Sequence, residues 1–193
     1  MYLALMDDSI LPINRTLWKL KIPLKVMVFI WLLHRGVILT KDNLAKRNWQ
    51  GTQECCFCSS NETIAHLFFD CHVARLLWRI IYITFGLQRP SNIVHMFGIW
   101  LNGMEWAHKK LVYIGLCALC WAIWLSKSDT VFYKSQKQTH LWILFGVTYL
   151  AKTWMPLQKE DRDTISTACR AMELTAMEIF VKNGWHFSNR QCL

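Results

Sequence analysis

The sequence predicts an all-α protein, with helices around a small irregular metal-binding loop followed by a helical C-terminal region. Three observations carry that prediction. Apolar residues recur at helical spacing in segment after segment, no alternating run of useful length competes as a strand, and four of the eight cysteines fall within residues 54–71, "ECCFCSSNETIAHLFFDC". The 193 residues are 53% hydrophobic and include eleven tryptophans, which is ample material for a core. No internal repeat or low-complexity tract interrupts the pattern.

Each element has its own signals. In "PLKVMVFIWLLHRG", Pro23 stands at a first helical position and Gly36 just past the end, with Val26, Phe29, Ile30 and Leu33 facing inward. In "LTKDNLAKRNW", Thr40 is an N-cap for a short basic helix whose inward residue is Leu44 and whose outward residues are Lys41, Lys46 and Arg47. The segment "HVARLLWRIIYITFG" sets Val73, Leu76, Leu77, Ile80 and Ile81 on one stripe and stops at Gly86. Pro90, Ser91 and Asn92 together mark "RPSNIVHMFG" as a linker, which divides the chain into residues 1–90 and a helical region 91–193.

Three helical patterns follow, over about 104–126, about 137–155 closing before Pro156, and about 160–183 closing at Gly184. In the last, Ile165, Cys169, Met172, Ala176 and Phe180 share a face. The run Leu111–Leu125 carries no charge across fifteen residues. As a helix it spans about 22 Å, short of the ~30 Å of a bilayer's hydrocarbon core, so it reads as a buried core helix rather than a membrane span. Cys117 and Cys120 within it read as packing residues, as do Cys169 and Cys192.

The clustered cysteines ask for a different explanation. Cys55, Cys58, His66 and Cys71 give C-x2-C-x7-H-x4-C, a pair on a tight turn and a second pair a helical turn or so later, which is the spacing of a tetrahedral zinc site. The polar "SSNETIA" can loop around an ion, and a short helix capped near Thr63 would bring His66 inward before the chain returns at Cys71. Cys56 could replace Cys55, although Cys56 and Cys58 would tend to point apart, and His72 could replace Cys71 to make a Cys2His2 set.

Charge narrows the partner. The chain carries a formal +9, and residues 1–50 hold eight basic against three acidic side chains. A basic surplus just upstream of the cysteines favours nucleic acid or an anionic surface. "MYLALMDDSILP" meets Asp7 and Asp8 too early to open a secretory signal, and clustered cysteines fit a reducing compartment, so the expected location is intracellular, nucleus or cytoplasm.

Linked pieces of the sequence support a resemblance. Trp18, Ile22-Pro23-x-Lys25, Phe29-x-Trp31, Leu39-Thr40-x-x-Asn43-Leu44 with Arg47, the C-x2-C, Glu62-Thr63, His66-Leu67-Phe68, Cys71 and Trp78 together resemble the reverse-transcriptase zinc-binding domain of plant non-LTR (LINE-type) retrotransposons. More loosely, "CWAIWLSKSDTVF" resembles the family's tryptophan-rich stretch, with Lys127-Ser128-Asp129 where Arg-Asn-Asp is usual. The resemblance implies Zn2+ on Cys55, Cys58, His66 and Cys71, and a non-catalytic module, residues 1–90, that accompanies a reverse transcriptase and holds RNA or single-stranded DNA. Lys41, Lys46 and Arg47 are then candidates for phosphates, and Trp49 or Phe57 for stacking on bases. "LMDDS" at residues 5–9 is similar to a polymerase's paired aspartates, but Leu5 stands where an aromatic belongs and no third metal-binding carboxylate precedes it. The expectation is therefore a module without catalytic residues. A protein-docking module for a polymerase or host factor, or a membrane-associated helical protein, is the competing reading.

Overall fold

The computed structural model describes residues 17–132 and 140–183. Seven α-helices lie in that range: α1 (Leu24–His34), α2 (Lys41–Ala45), α3 (His72–Phe85), α4 (Ile93–Phe97), α5 (Trp106–Phe132), α6 (His140–Trp154) and α7 (Arg162–Lys182). A π-helical turn, His66–Asp70, precedes α3, and a 3-10 turn, Met155–Leu157, joins α6 to α7. Among the described residues the β structure is a single antiparallel bridge between Glu54 and Asn61. The chain is all-α around an irregular loop.

The local signals act largely as the sequence implies. Pro23 is the N-cap of α1 rather than its first residue, and the chain leaves the helix through Gly36 at φ +71°, where a Cβ would be strained. The inward stripe of α1 is Val26, Phe29, Ile30 and Leu33, joined by Met27. Gly86, at φ +69°, ends α3 by donating its N–H to the Tyr82 carbonyl. The stripe on α7 buries Ile165, Cys169, Met172 and Ala176, with Phe180 packed at the core's edge.

Three readings change. The stretch taken as a linker contains α4, because Asn92 caps it by accepting from the His95 N–H at 2.8 Å, while Ile93, Met96 and Phe97 are buried. On α2 the buried residue is Asn43, not Leu44: its Nδ2 donates to the carbonyls of Gly36 (2.7 Å) and Ile38 (2.9 Å), tying down the turn between α1 and α2. The third concerns α5, which runs 27 residues, or about 40 Å, because helical flanks extend the apolar run at both ends. Its length and composition would allow it to cross a membrane, and 61% of its apolar window is buried inside the protein. Burial rather than shortness is what supports its reading as a core helix. The "LMDDS" stretch, residues 137–139, Gly184 and Cys192 lie outside the described residues.

Helix α5 is the spine. On one side Phe29 of α1 packs edge-on to Trp121 (5.1 Å between centroids) and against Trp124 (5.5 Å), while α6 packs on α5 and α7 on α6. Helix α3 packs on α7, and the π turn touches both α3 and α5. Buried residues from both sides of residue 90 belong to one cluster, Leu17 through Ala176. A cavity of about 460 Å³ remains between α3, α5, α6 and α7, lined by residues such as Ile81, Leu116, Val147 and Met172.

Candidate metal centre

Two short segments build the centre. The first is a knuckle: Glu62 N–H donates to the Gln53 carbonyl (2.8 Å) and Cys55 N–H to the Ser60 carbonyl (2.7 Å), closing residues 53–62 on themselves. Inside it, Cys58 N–H reaches the Cys55 carbonyl (3.3 Å) and Phe57 N–H points at Cys55 Sγ (3.5 Å). This tight turn aims both sulfurs at one point. The second segment begins at Thr63, whose Oγ1 accepts from the His66 N–H at 3.0 Å, as an N-terminal cap should. Its backbone then widens into the π turn, and Cys71 N–H closes it onto the His66 carbonyl at 2.7 Å. That i→i+5 bond brings Cys71 back to His66, which an α-helical turn would not do, and π turns are frequent at functional sites.

The ligand atoms of Cys55, Cys58, His66 and Cys71 all lie within 4.8 Å of one another. His66 Nε2 is 3.1 Å from Cys58 Sγ, and Cys71 Sγ is 4.0 Å from Cys58 Sγ. Thiolates about 2.3 Å from one tetrahedral zinc sit about 3.8 Å apart, so the arrangement fits that ion. Within the cluster the cysteines hold their protons unequally. Thiols donated by Cys56 and then by Cys71, helped by the Phe57 N–H, hold Cys55 well below the usual thiol range. Cys56 and Cys71, as donors to Cys55 and through burial, are pushed well up.

The near-ligands go elsewhere. Cys56 shares with Cys55 and Glu62 a second group of ligand atoms, but the cation there is already supplied: Lys127 Nζ sits 2.8 Å from Glu62 Oε1. His72 Nδ1 is 3.9 Å from Cys71 Sγ, and its ring packs against that of His140 at 4.9 Å. Cys117 and Cys120 are buried in α5, and burial raises both thiols.

Tryptophan and arginine brace the π turn from behind. Trp78 Nε1 donates to the Phe68 carbonyl (2.9 Å) while its ring stacks on Phe69, and Arg89 donates to the Phe69 carbonyl (2.6 Å) and pairs with Asp70 (3.1 Å). Sequence reasoning found Trp78 but assigned it no job, and it passed over the Glu62–Lys127 pair entirely. Lys127 is 7% exposed and Glu62 0%; Lys127 also donates to the Leu39 carbonyl (2.8 Å) and lies over the Trp124 ring (4.4 Å). The Lys41 N–H reaches the same Glu62 oxygen at 3.0 Å. The available signal was a charge set at the end of a fifteen-residue apolar run.

The candidate nucleic-acid residues divide. Lys46 and Arg47 are exposed; Lys46 Nζ bonds Asn43 Oδ1 (3.0 Å) and lies 3.8 Å from Asp42. Trp49 is 40% exposed, its indole lying across Gly51 where any Cβ would collide with it. Lys41 is half-buried, its ammonium turned onto the Glu54 carbonyl and Thr52 Oγ1. It braces the knuckle at the surface. Phe57 is partly buried against the core.

Residues 1–78 match the model of a family described as zinc-binding in reverse transcriptase, which takes in the knuckle, the π turn and Trp78. This segment is similar to the zinc-binding domain of reverse transcriptases. The match covers the zinc-binding domain and no polymerase domain. No curated protein and no solved structure matches the chain.

Proposed function

We propose that the chain is a non-catalytic module in which one structural zinc, held by Cys55, Cys58, His66 and Cys71, fixes a surface that binds single-stranded nucleic acid. The observation that carries this reading is the convergence of the four ligand atoms within 4.8 Å from two separately hydrogen-bonded segments. When bound, the ion supplies a closed four-ligand node that replaces shared protons with metal bonds and contributes folding free energy directly. Lys46 and Arg47 then present charge, and Trp49 an aromatic face, beside the zinc loop. We propose further that the module accompanies a reverse transcriptase of the LINE type whose zinc-binding domain it resembles, and works inside the cell on RNA or single-stranded DNA.

Metal analysis with nucleic-acid titration tests the reading. One zinc per chain is expected, with Cys58→Ser and His66→Ala each losing it and Cys56→Ser, His72→Ala and Cys117→Ala each keeping it. Full zinc in the first two variants would overturn the ligand set. Contact with about three phosphates gives a slope near −2 for log affinity against log salt, and replacing Lys46 and Arg47 together by Gln flattens it by about 1.4. Binding that ignores salt would reject nucleic acid as the ligand.

One observation favours a second reading, protein docking. Trp142 (65% exposed), Phe145 (40%) and Tyr149 (69%) stand at i, i+3 and i+7 on α6, an aromatic stripe facing outward. A native pulldown with and without nuclease separates the two: partners lost on nuclease treatment support the nucleic-acid module, and partners retained support docking.

A further inference from the structure

Lys41 was one of three cations on the expected phosphate surface, and its ammonium is spent on the knuckle. The fold sets another cation, on a different element, at the start of the turn that leads into α2. Asn43 is the hinge of the geometry: its Oδ1 receives Lys46 Nζ (3.0 Å), while its Nδ2 grips the carbonyls of Gly36 (2.7 Å) and Ile38 (2.9 Å). The residue before Gly36 is Arg35, so one buried amide holds the backbone beside Arg35 and the ammonium of Lys46 around a single side chain.

Arg35 caps the C-terminal end of α1, is exposed, and makes no ion pair among the described residues. Its guanidinium lies over the Trp31 ring, 4.6 Å from the centroid. A stacked guanidinium keeps its N–H edge outward and loses little side-chain freedom on binding, which suits planar recognition of a phosphate. Between Arg35 and α2 the exposed side chains are Val37 and Leu39, uncharged residues that would lie under a sugar–base edge without repelling it.

We propose that Arg35, set on Trp31, is the third phosphate-binding cation of the nucleic-acid surface, alongside Lys46 and Arg47, and that Trp31 positions it. This deepens the nucleic-acid reading and rests on it. The surface therefore runs from the end of α1, across the turn held by Asn43, to the end of α2 and Trp49. It is assembled from two elements that lie twelve residues apart in sequence at Arg35 and Arg47.

The test is the salt dependence of binding of a fluorescein-labelled oligouridylate to the zinc-loaded full chain, followed by anisotropy from about 50 to 200 mM salt. Arg35→Gln should flatten the slope by about 0.7, the release of one counterion, with zinc content and circular dichroism unchanged. Trp31→Leu keeps the charge and should hold the slope while weakening binding about threefold at each salt concentration, the effect of losing one exposed cation–π platform. A wild-type slope in Arg35→Gln, with flattening in Lys41→Gln instead, would overturn the proposal while leaving the nucleic-acid reading intact. Unchanged affinity in Trp31→Leu would overturn the platform. Absence of binding by the wild-type chain would overturn the nucleic-acid reading itself.

Discussion

Removing the ammonium of Lys127 should cost this protein more than deleting any surface charge. In Lys127→Met, Glu62 stays buried at 0% exposure, and its Oε1 keeps only the Lys41 N–H, at 3.0 Å. Glu62 Oε2 already lacks a hydrogen-bond partner, so nothing else receives the charge. The Leu39 carbonyl loses its donor in the same stroke. Breaking one side of a buried pair costs about 3–5 kcal/mol, which in a chain of this size lowers Tm by about 6–20 °C. The partner experiment is Glu62→Gln/Lys127→Met, which removes both charges yet leaves an amide oxygen for the Lys41 N–H. It should recover more than half of the loss, because the uncompensated charge is gone. Urea unfolding of zinc-loaded protein, followed by tryptophan fluorescence, measures both. A loss below about 1 kcal/mol in Lys127→Met, or a double variant as unstable as the two single changes summed, would refute the reasoning.

Trp78→Phe keeps an aromatic ring against Phe69 but orphans the Phe68 carbonyl, so it should cost about 1–3 kcal/mol and weaken zinc retention in a chelator competition. Gly115→Ala should stabilise by about 1 kcal/mol, read as a raised urea midpoint, since a Cβ there meets nothing within 4 Å and mid-helix glycine is costly. Glu173 gives a pH signature: burial alone would raise its carboxyl, but the hydrogen bond from Lys152 (2.7 Å) and those charges around it hold it below the ordinary 4.5. With the folded value depressed, its contribution is complete above about pH 4.5 and disappears as pH falls through the folded value. Glu173→Gln should therefore be less stable than wild type at neutral pH, and the gap between them should close in acid.

The helices and the ligand set were legible because each rests on a local rule. Val26, Phe29, Ile30 and Leu33 announce their shared face by spacing, Gly86 announces a helix end, and C-x2-C with His66 and Cys71 announces a point of convergence. What sequence reasoning missed depends on partners far along the chain. Nothing near Lys127 says that its ammonium meets Glu62, and nothing near Lys41 says that its side chain folds back onto Glu54. Asn43 outranked Leu44 as the buried residue of α2 because its amide donates to the carbonyls of Gly36 and Ile38 in the turn before it, a demand that hydrophobic spacing does not record. The π turn was hidden for a related reason: its extra residue satisfies the geometry of Cys71, while its apolar side chains read like any other helical turn.

The spine role of α5 has a consequence for how such a chain can change over generations. The family match ends at residue 78, inside α3, whereas Phe29 leans on Trp121 and Trp124 and Glu62 on Lys127, all contributed by α5. The stretch that is readable as kin and the stretch that must stay together to fold have different edges. The support that α5 gives needs an apolar helix with a cation at Lys127, and makes few demands on the other letters beyond residue 78. A copy cut at the edge of its likeness would carry a metal site whose back wall had been left behind.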